Sequence, residues 1–415
     1  MSNGSLVIVA VLTASAWGAA SSQPVREATP GTIIDTRSAE HSLSHVVGMA
    51  FSADGSLLVL DPTLKALSRF SARGEFLGRI GREGAGPGEF RWPLTLGTLG
   101  DQVWVADFQL RRFTLLDRAL KVISTPTMKE PGLVALMSDG ARVVQPFVEV
   151  VPGEDATAQL QTLVLVQGQG KEQPLGRWIV NETPIRTDAP GFTSPQRQPF
   201  TDRPLWAVAP DGRTVVVVEG AADGNTLLKA VTATGTEAFR SVLPWSRVPI
   251  TNAHFEKAVD SIVAFVKGIR LPGGASMPVD PAAVRSAVAR PRDIGPVTQV
   301  LVGSDGRTWL RLRNSSRAGF AEWQSYSAAG AAGSGIHLPA EVSVFCSPRR
   351  RSGDPGMRMV NRLLLSICCL EPRQPSNRPT ALPVRPPAGT PRCGAGHCPR
   401  TTGPRCRCGS TCLES

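Results

Sequence analysis

Residues 81–107 read GREGAGPGEFRWPLTLGTLGDQVWVAD, and the two halves of that stretch ask for different structures. Gly81, Gly84, Gly86 and Gly88 around Pro87 rule out a helix or a strand interior, so Gly81 to Pro93 must be a shaped connection. Gly100-Asp101 is a tight-turn pair, and Val103-Trp104-Val105-Ala106 is a short β-favouring run that stops at Asp107. A glycine-rich link, a strand, an acid-glycine turn, a second strand and an acidic stop make one supersecondary unit, which can be sought along the chain.

Working outward, the same unit recurs. Before the link come Val46 to Phe51, the Ser52-Ala53-Asp54-Gly55 turn, Leu57 to Leu60 with Asp61 as its stop, Leu67 to Phe70, the Ala72-Arg73-Gly74 turn and Glu75 to Ile80. These predict four short antiparallel strands, the content of one propeller blade. Leu94 to Ser124 carries a second set, and Leu133 to Val166 a blurred third, with turns at Asp139-Gly140 and Gly168-Gln169-Gly170. The fourth, Trp206 to Leu243, is clean, with Thr214 to Val218 stopping at Glu219. From Pro244 to Pro296 the period changes. Phe255, Val259, Ile262, Val263, Val266 and Ile269 predict a helix over His254 to Arg270, capped by Thr251 or Asn252. Asp280-Pro281 opens a second, shorter one running to about Ala289. A fifth β set follows from Val297 to Leu338, so residues 245–296 read as a helical insertion between two blades.

GREGAGPGEFRWP, with QVWVAD and RRFTLLD after it, resembles the NHL-repeat type of six-bladed β-propeller, above all the bacterial exported propellers of that kind. The match rests on Gly84, Gly86, Pro87, Gly88, Glu89, Phe90, Pro93, Val105, Ala106, Asp107, Arg112 and Asp117. This one copy is close, and the other units keep only the blade rhythm, over residues 31–345. The resemblance implies an all-β, six-bladed β-propeller, of which the sequence shows five recognisable blades and an incomplete last one, with Ile33-Ile34 available as a closing strand. In such a ring Phe90 and Trp92 are expected to plug the seam between sheets. Asp61, Asp107 and Glu219, at second-strand ends, are expected to cap turns.

The net charge of +11 over 415 residues conceals two populations. Residues 346–415 hold twelve arginines, no lysine and only Asp354, Glu371 and Glu414 as acids, a net +9, so the rest carries only +2. That balance is no footprint for nucleic acid or an anionic membrane. All eight cysteines lie in the same segment, so neither disulfides nor thiolate-held metal close the body. Arginine without lysine, amid Pro, Gly and Cys, reads as a frameshifted terminus of a GC-rich gene, expected to be disordered apart from a short helix at Met357 to Cys369. A zinc knuckle from Cys393, His397, Cys398, Cys406, Cys408 and Cys412 is disfavoured, since the spacing lacks Cys-x2-Cys pairs and Pro391 and Pro404 sit among the ligands. At the other end, LVIVAVLTASAWGAA (6–20), followed by Ser21 and Ser22, reads as a signal peptide over 1–22, although MSNGS lacks the usual basic residue; a buried first strand or a misassigned start codon are the competing readings.

Two functions from different classes follow. The first is an exported, periplasmic or secreted binding module, expected to be a monomer without a membrane anchor, that presents loops and a central channel to a protein or small ligand. The body has only His41, His45, His254 and His337, no cysteine, one tyrosine (Tyr326), no Gly-x-Ser-x-Gly elbow and no phosphate-cradling lysine motif, so no catalytic residues are assigned and no cofactor is expected. The second is a metal-dependent hydrolase of the lactonase type, which some six-bladed propellers are. It would gather carboxylates and amides on Ca2+ in the channel, the candidates being Asp61, Asp107, Glu219 and Asn252.

Overall fold

Leu57–Asp61, Gln102–Asp107 and Thr214–Gly220 read as nearly unbroken apolar runs because each is the second strand of a sheet covered on both faces. All of Leu57–Asp61 is buried, and so are Val103 to Asp107 and Val215 to Val218. Outer strands show the complementary pattern: Phe76–Ile80 alternates between half-buried and exposed positions, as a rim strand with one wet face should.

The computed structural model describes residues 45–340 apart from 131, 147–158, 181–182, 190–191, 221–223, 270 and 272–273. Residue 43 and segments 7–10, 26–27, 32–34, 343–346, 357–358 and 364–366 are also described. Contacts divide the chain after Pro372, and everything described lies before that point.

Among the described residues, five sheets of four antiparallel strands follow one another. Blade 1 is Gly48–Phe51, Leu57–Asp61, Ala66–Phe70 and Phe76–Ile80. Blade 2 is Pro93–Leu99, Gln102–Asp107, Arg112–Leu116 and Val122–Ser124. Blade 3 is Leu133–Leu136, Arg142–Gln145, Gln159–Val166 and Glu172–Val180. Blade 4 is Leu205–Val208, Thr214–Gly220, Thr226–Thr232 and Glu237–Leu243. Blade 5 is Val297–Val302, Thr308–Leu312, Phe320–Tyr326 and Ala332–Pro339, with Arg26–Glu27 added parallel to its last strand. The first strands of blades 1 and 2, of 2 and 3, and of 4 and 5 lie side by side. The arrangement is that of an all-β propeller with its first strands innermost.

The core is a series of seams. Leu58, Leu60 and Leu67 of blade 1 meet Val103, Val105 and Leu116 of blade 2, and Leu163, Leu165 and Trp178 of blade 3 meet Val215 and Val217 of blade 4. Each such leucine or valine contributes roughly 1.5–3 kcal/mol by burial. Ser343–Cys346 lies against the first strands of both blade 1 and blade 5, where the Gln299 amide donates to the Val344 carbonyl. It ends a further sheet ordered Val7–Ala10, Thr32–Ile34, Met357–Arg358, Leu364–Ser366, Ser343–Cys346.

Two expectations change. Met357–Arg358 and Leu364–Ser366 are strand segments, not parts of a helix, because neighbouring strands there supply backbone partners. Trp92 stands 55% exposed instead of plugging a seam, its amide and that of Arg91 both turned inward to Asp107; of the two aromatics only Phe90, 1% exposed, packs into the seam. An unforeseen hairpin, Ile185–Ala189 with Phe192–Gln196, joins blades 3 and 4. Within the expected signal peptide only the backbone of Val7–Ala10 is described, paired with Thr32–Ile34; the rest of 1–22, and the cysteine-rich segment from 367 onward, lie outside the described residues. Among the described residues no helix is long and apolar enough to cross a membrane.

Candidate functional site

Each blade has an even number of antiparallel strands, so every first strand starts at the face where the links arrive and ends at the opposite, turn face. Toward the turn face the five first strands enclose a cavity of about 240 Å3. Its walls are Met49 and Ala50, Leu96 and Gly97, Val134 and Ala135, Ala207 and Val208, and Leu301 and Val302, with Trp104 and Trp206 contributing indoles. One end is tied across. The Pro210 carbonyl of blade 4 accepts from the Gly100 amide at 3.2 Å and the Thr98 hydroxyl at 3.0 Å, both in blade 2, and Gly212 O accepts from Ser138 N of blade 3 at 2.7 Å. Only glycine fits at 212, where φ is +73° and a Cβ would stand 2.1 Å from the Leu99 methyl.

The helical insertion rises from the link face, because it interrupts the connection between blades 4 and 5. Helix α1, Asn252–Gly268, starts at a capping box in which Thr251 Oγ1 accepts from His254 N at 3.2 Å. Helix α2, Pro281–Ala287, is capped by Asp280, whose carboxylate accepts from Ala282 N at 2.9 Å. Phe255, Val259 and Val263 of α1 and Val284 of α2 pack with Ile185 of the hairpin and with Phe200, so two links build one small satellite core. Arg247 anchors its base through ion pairs to Asp202 and Asp293. Burial works against the Arg247 charge, but the two carboxylates outweigh it and push its pKa up.

The sequence candidates go elsewhere than the channel cavity, and none of Asp61, Asp107, Glu219 and Asn252 lines it. Asp107 is fully buried and accepts from the amides of Arg91 at 2.7 Å, Trp92 at 3.1 Å and Leu110 at 2.9 Å, so it clamps the incoming link to its own strand end. Asp61 does the same for blade 1, accepting from His45 N and Thr63 N, each at 2.9 Å. Glu219 pairs with Lys229 at 2.7 Å in the seam beside Gly176 of blade 3, and the turn it was expected to cap, 221–223, lies outside the described residues. Asn252 opens α1 and holds Arg290.

The link residues are structural too. Glu89 accepts from the Gly86 amide and from Arg82, each at 2.8 Å, and these bonds hold its carboxyl below the usual range. Arg112 reaches from the third strand of blade 2 to the carbonyls of Ala85, Gly86 and Glu89. Gly84 leaves room for the Glu89 carboxylate and Gly81 for the Phe90 ring, each within 2.4 Å of where a Cβ would be. Pro87 and Gly88 complete that turn.

Among the described residues no group of three His, Cys, Asp or Glu side chains converges as the donors of a metal ion would. Ser316, His337 and Glu322 do cluster, with Ser316 Oγ 2.8 Å from Glu322 and 3.1 Å from His337 Nε2. The carboxylate, at 3.5 Å, faces the same ring nitrogen as the hydroxyl, so it cannot orient the imidazole as a general base through the other nitrogen. The sequence reading expected a central channel but named none of its wall residues, because they are ordinary strand valines, alanines and leucines. The one local signal was Gly97, a glycine inside a strand.

No protein family matches the chain by its sequence pattern, and no curated protein matches it. Solved structures do. A putative exported protein from Bacteroides fragilis is similar at 10% identity, covering 80% of each chain, with a TM-score of 0.35. A gluconolactonase from Xanthomonas campestris is similar at 12% identity, again over 80% of each, with a TM-score of 0.32. Virginiamycin B lyase from Staphylococcus aureus, solved with quinupristin, is similar at 10% identity over 76% of this chain and 91% of that one, with a TM-score of 0.30. All three are β-propeller proteins.

Proposed function

We propose that this chain is an exported, NHL-like propeller with six positions in its ring, and that it binds a small, mostly apolar molecule in its channel. The observation that carries the binding reading is the 240 Å3 cavity walled by the first strands of five blades and tied across at the turn face. An apolar cavity of about 150 Å3 is known to take up benzene, so this one suits a molecule roughly half as large again. The sixth position rests on Ser343–Cys346 lying between the first strands of blades 5 and 1. Export rests on the apolar run at 6–20.

Ligand-observed NMR with toluene tests the binding reading. Toluene binds the full chain, and the Ala207→Phe variant, which fills the cavity from blade 4, loses that signal while keeping its unfolding midpoint within a few degrees. Equal signals from both proteins, or none from the parent, would refute it.

A further inference from the structure

Two tryptophans line the channel cavity, and they differ in one respect. The Trp206 indole N–H donates to Gln145 Oε1 at 2.7 Å, whereas the Trp104 indole N–H has no protein acceptor although the residue is only 5% exposed. Buried indole N–H groups ordinarily find a partner and can only donate; those of Trp309 and Trp323 also lack one, so what sets Trp104 apart is its place in the cavity lining.

The orientation of Trp104 follows from the strand opposite. Trp104 sits across from Gly97 in the first strand of blade 2, the strand that faces the channel. A Cβ at Gly97 would lie 2.4 Å from Cζ2, 2.7 Å from Cε2 and 3.0 Å from Nε1 of the indole. The ring therefore lies over the one position of that strand with no side chain, its N–H edge above a cavity-lining residue. Phe113 fixes it from behind in an edge-on contact at 5.9 Å and 83°. The lining hydroxyls are already donating, Thr98 to Pro210 O at 3.0 Å and Thr95 to Val134 O at 3.5 Å. Among the described lining residues, Trp104 thus carries the only buried side-chain donor without an acceptor. Around it the walls present apolar side chains and the inner edges of the first strands.

We infer that the channel ligand is an apolar molecule bearing a hydrogen-bond acceptor, of the ketone, ester or ether class, and that the Trp104 indole N–H reads that acceptor. This rests on the channel being the binding site, and the test separates the two. Acetophenone and α-methylstyrene have nearly the same shape, but only the first has an acceptor. Titrated into the full chain, acetophenone binds about tenfold tighter, the ratio one ordinary hydrogen bond gives. One of the eight tryptophan indole N–H resonances moves downfield with acetophenone and stays in place with α-methylstyrene. In Trp104→Phe, which keeps an aromatic ring there, the two affinities become equal. Equal affinities in the parent, or movement of a resonance that survives in Trp104→Phe, would overturn the assignment and leave the channel reading standing. Binding of neither compound would overturn both.

Discussion

Tyr326 is the chain's only tyrosine, so its ionisation can be followed alone. It lies 4% exposed in the seam between blades 4 and 5, edge-on to Trp245 at 6.3 Å, and burial pushes its phenol up to about 12 from an ordinary value near 10. A group whose native pKa is raised stabilises the fold fully below its unfolded value and loses that contribution as pH climbs to the native one. Phenolate absorbance of the folded chain should therefore rise near pH 12, and that of the chain in denaturant near pH 10. Between those values stability should fall by about 1.4 kcal/mol per pH unit, and Tyr326→Phe should remove that slope. A native phenol titrating near 10 would mean that water reaches the seam. Trp104 belongs to the same scale: its role depends on one missing Cβ at Gly97, which a sequence shows only as a glycine out of place in a strand.

At the scale of elements, the links carry most of what was legible. Glycines, a proline and an acid at fixed offsets describe local geometry, and Gly84 to Phe90 with Asp107 adopts the shaped connection those residues ask for. Asp107→Ala would leave the amides of Arg91, Trp92 and Leu110 without their acceptor. It should lower unfolding free energy in urea by about 3 kcal/mol, since leaving a buried donor unsatisfied costs about 1–3 kcal/mol and three amides share the loss. A change under 0.5 kcal/mol would show that water replaces the carboxylate. Asp107→Asn, which keeps one acceptor oxygen, should recover part of the loss. The two helices were legible for the same reason, through a 3.6-residue apolar stripe and caps at Thr251 and Asp280. Their partner hairpin was not: IRTDA and FTSPQ alternate too weakly to announce strands, and Ile185 is buried only because the helices cover it. The channel cavity and the Pro210 tie likewise arise from residues far apart in sequence, which no local pattern records.

For the whole molecule the decisive question is how the ring closes. Leu58, Leu60 and Leu67 of blade 1 face blade 2, so Leu57, Val59 and Phe70, all fully buried, face the other way. Leu310 of blade 5 faces blade 4, so Trp309, and Trp323 paired on the same side, also fully buried, face away from it. Two sheet faces of this kind stay dry only if something fills the wedge between them. Ser343–Cys346 lies there, and the strands hydrogen-bonded in its sheet come from both ends of the chain, where a repeat count along the sequence does not register them. Val7–Ala10 pairs with both Thr32–Ile34 and Met357–Arg358 in that sheet, so cleavage of a signal peptide near residue 20–22 would leave four strands and remove a partner from each of those two. Val344, 1% exposed, tests this arrangement. If it sits in a closed wedge, Val344→Asp forces an unpaired carboxylate into an apolar seam and should cost about 3 kcal/mol or more in urea unfolding at neutral pH. Part of that loss should return toward pH 4, as the carboxyl takes up a proton. If the wedge were open to water, the variant would unfold within 0.5 kcal/mol of the parent at both pH values, and the six-position ring would have to be abandoned.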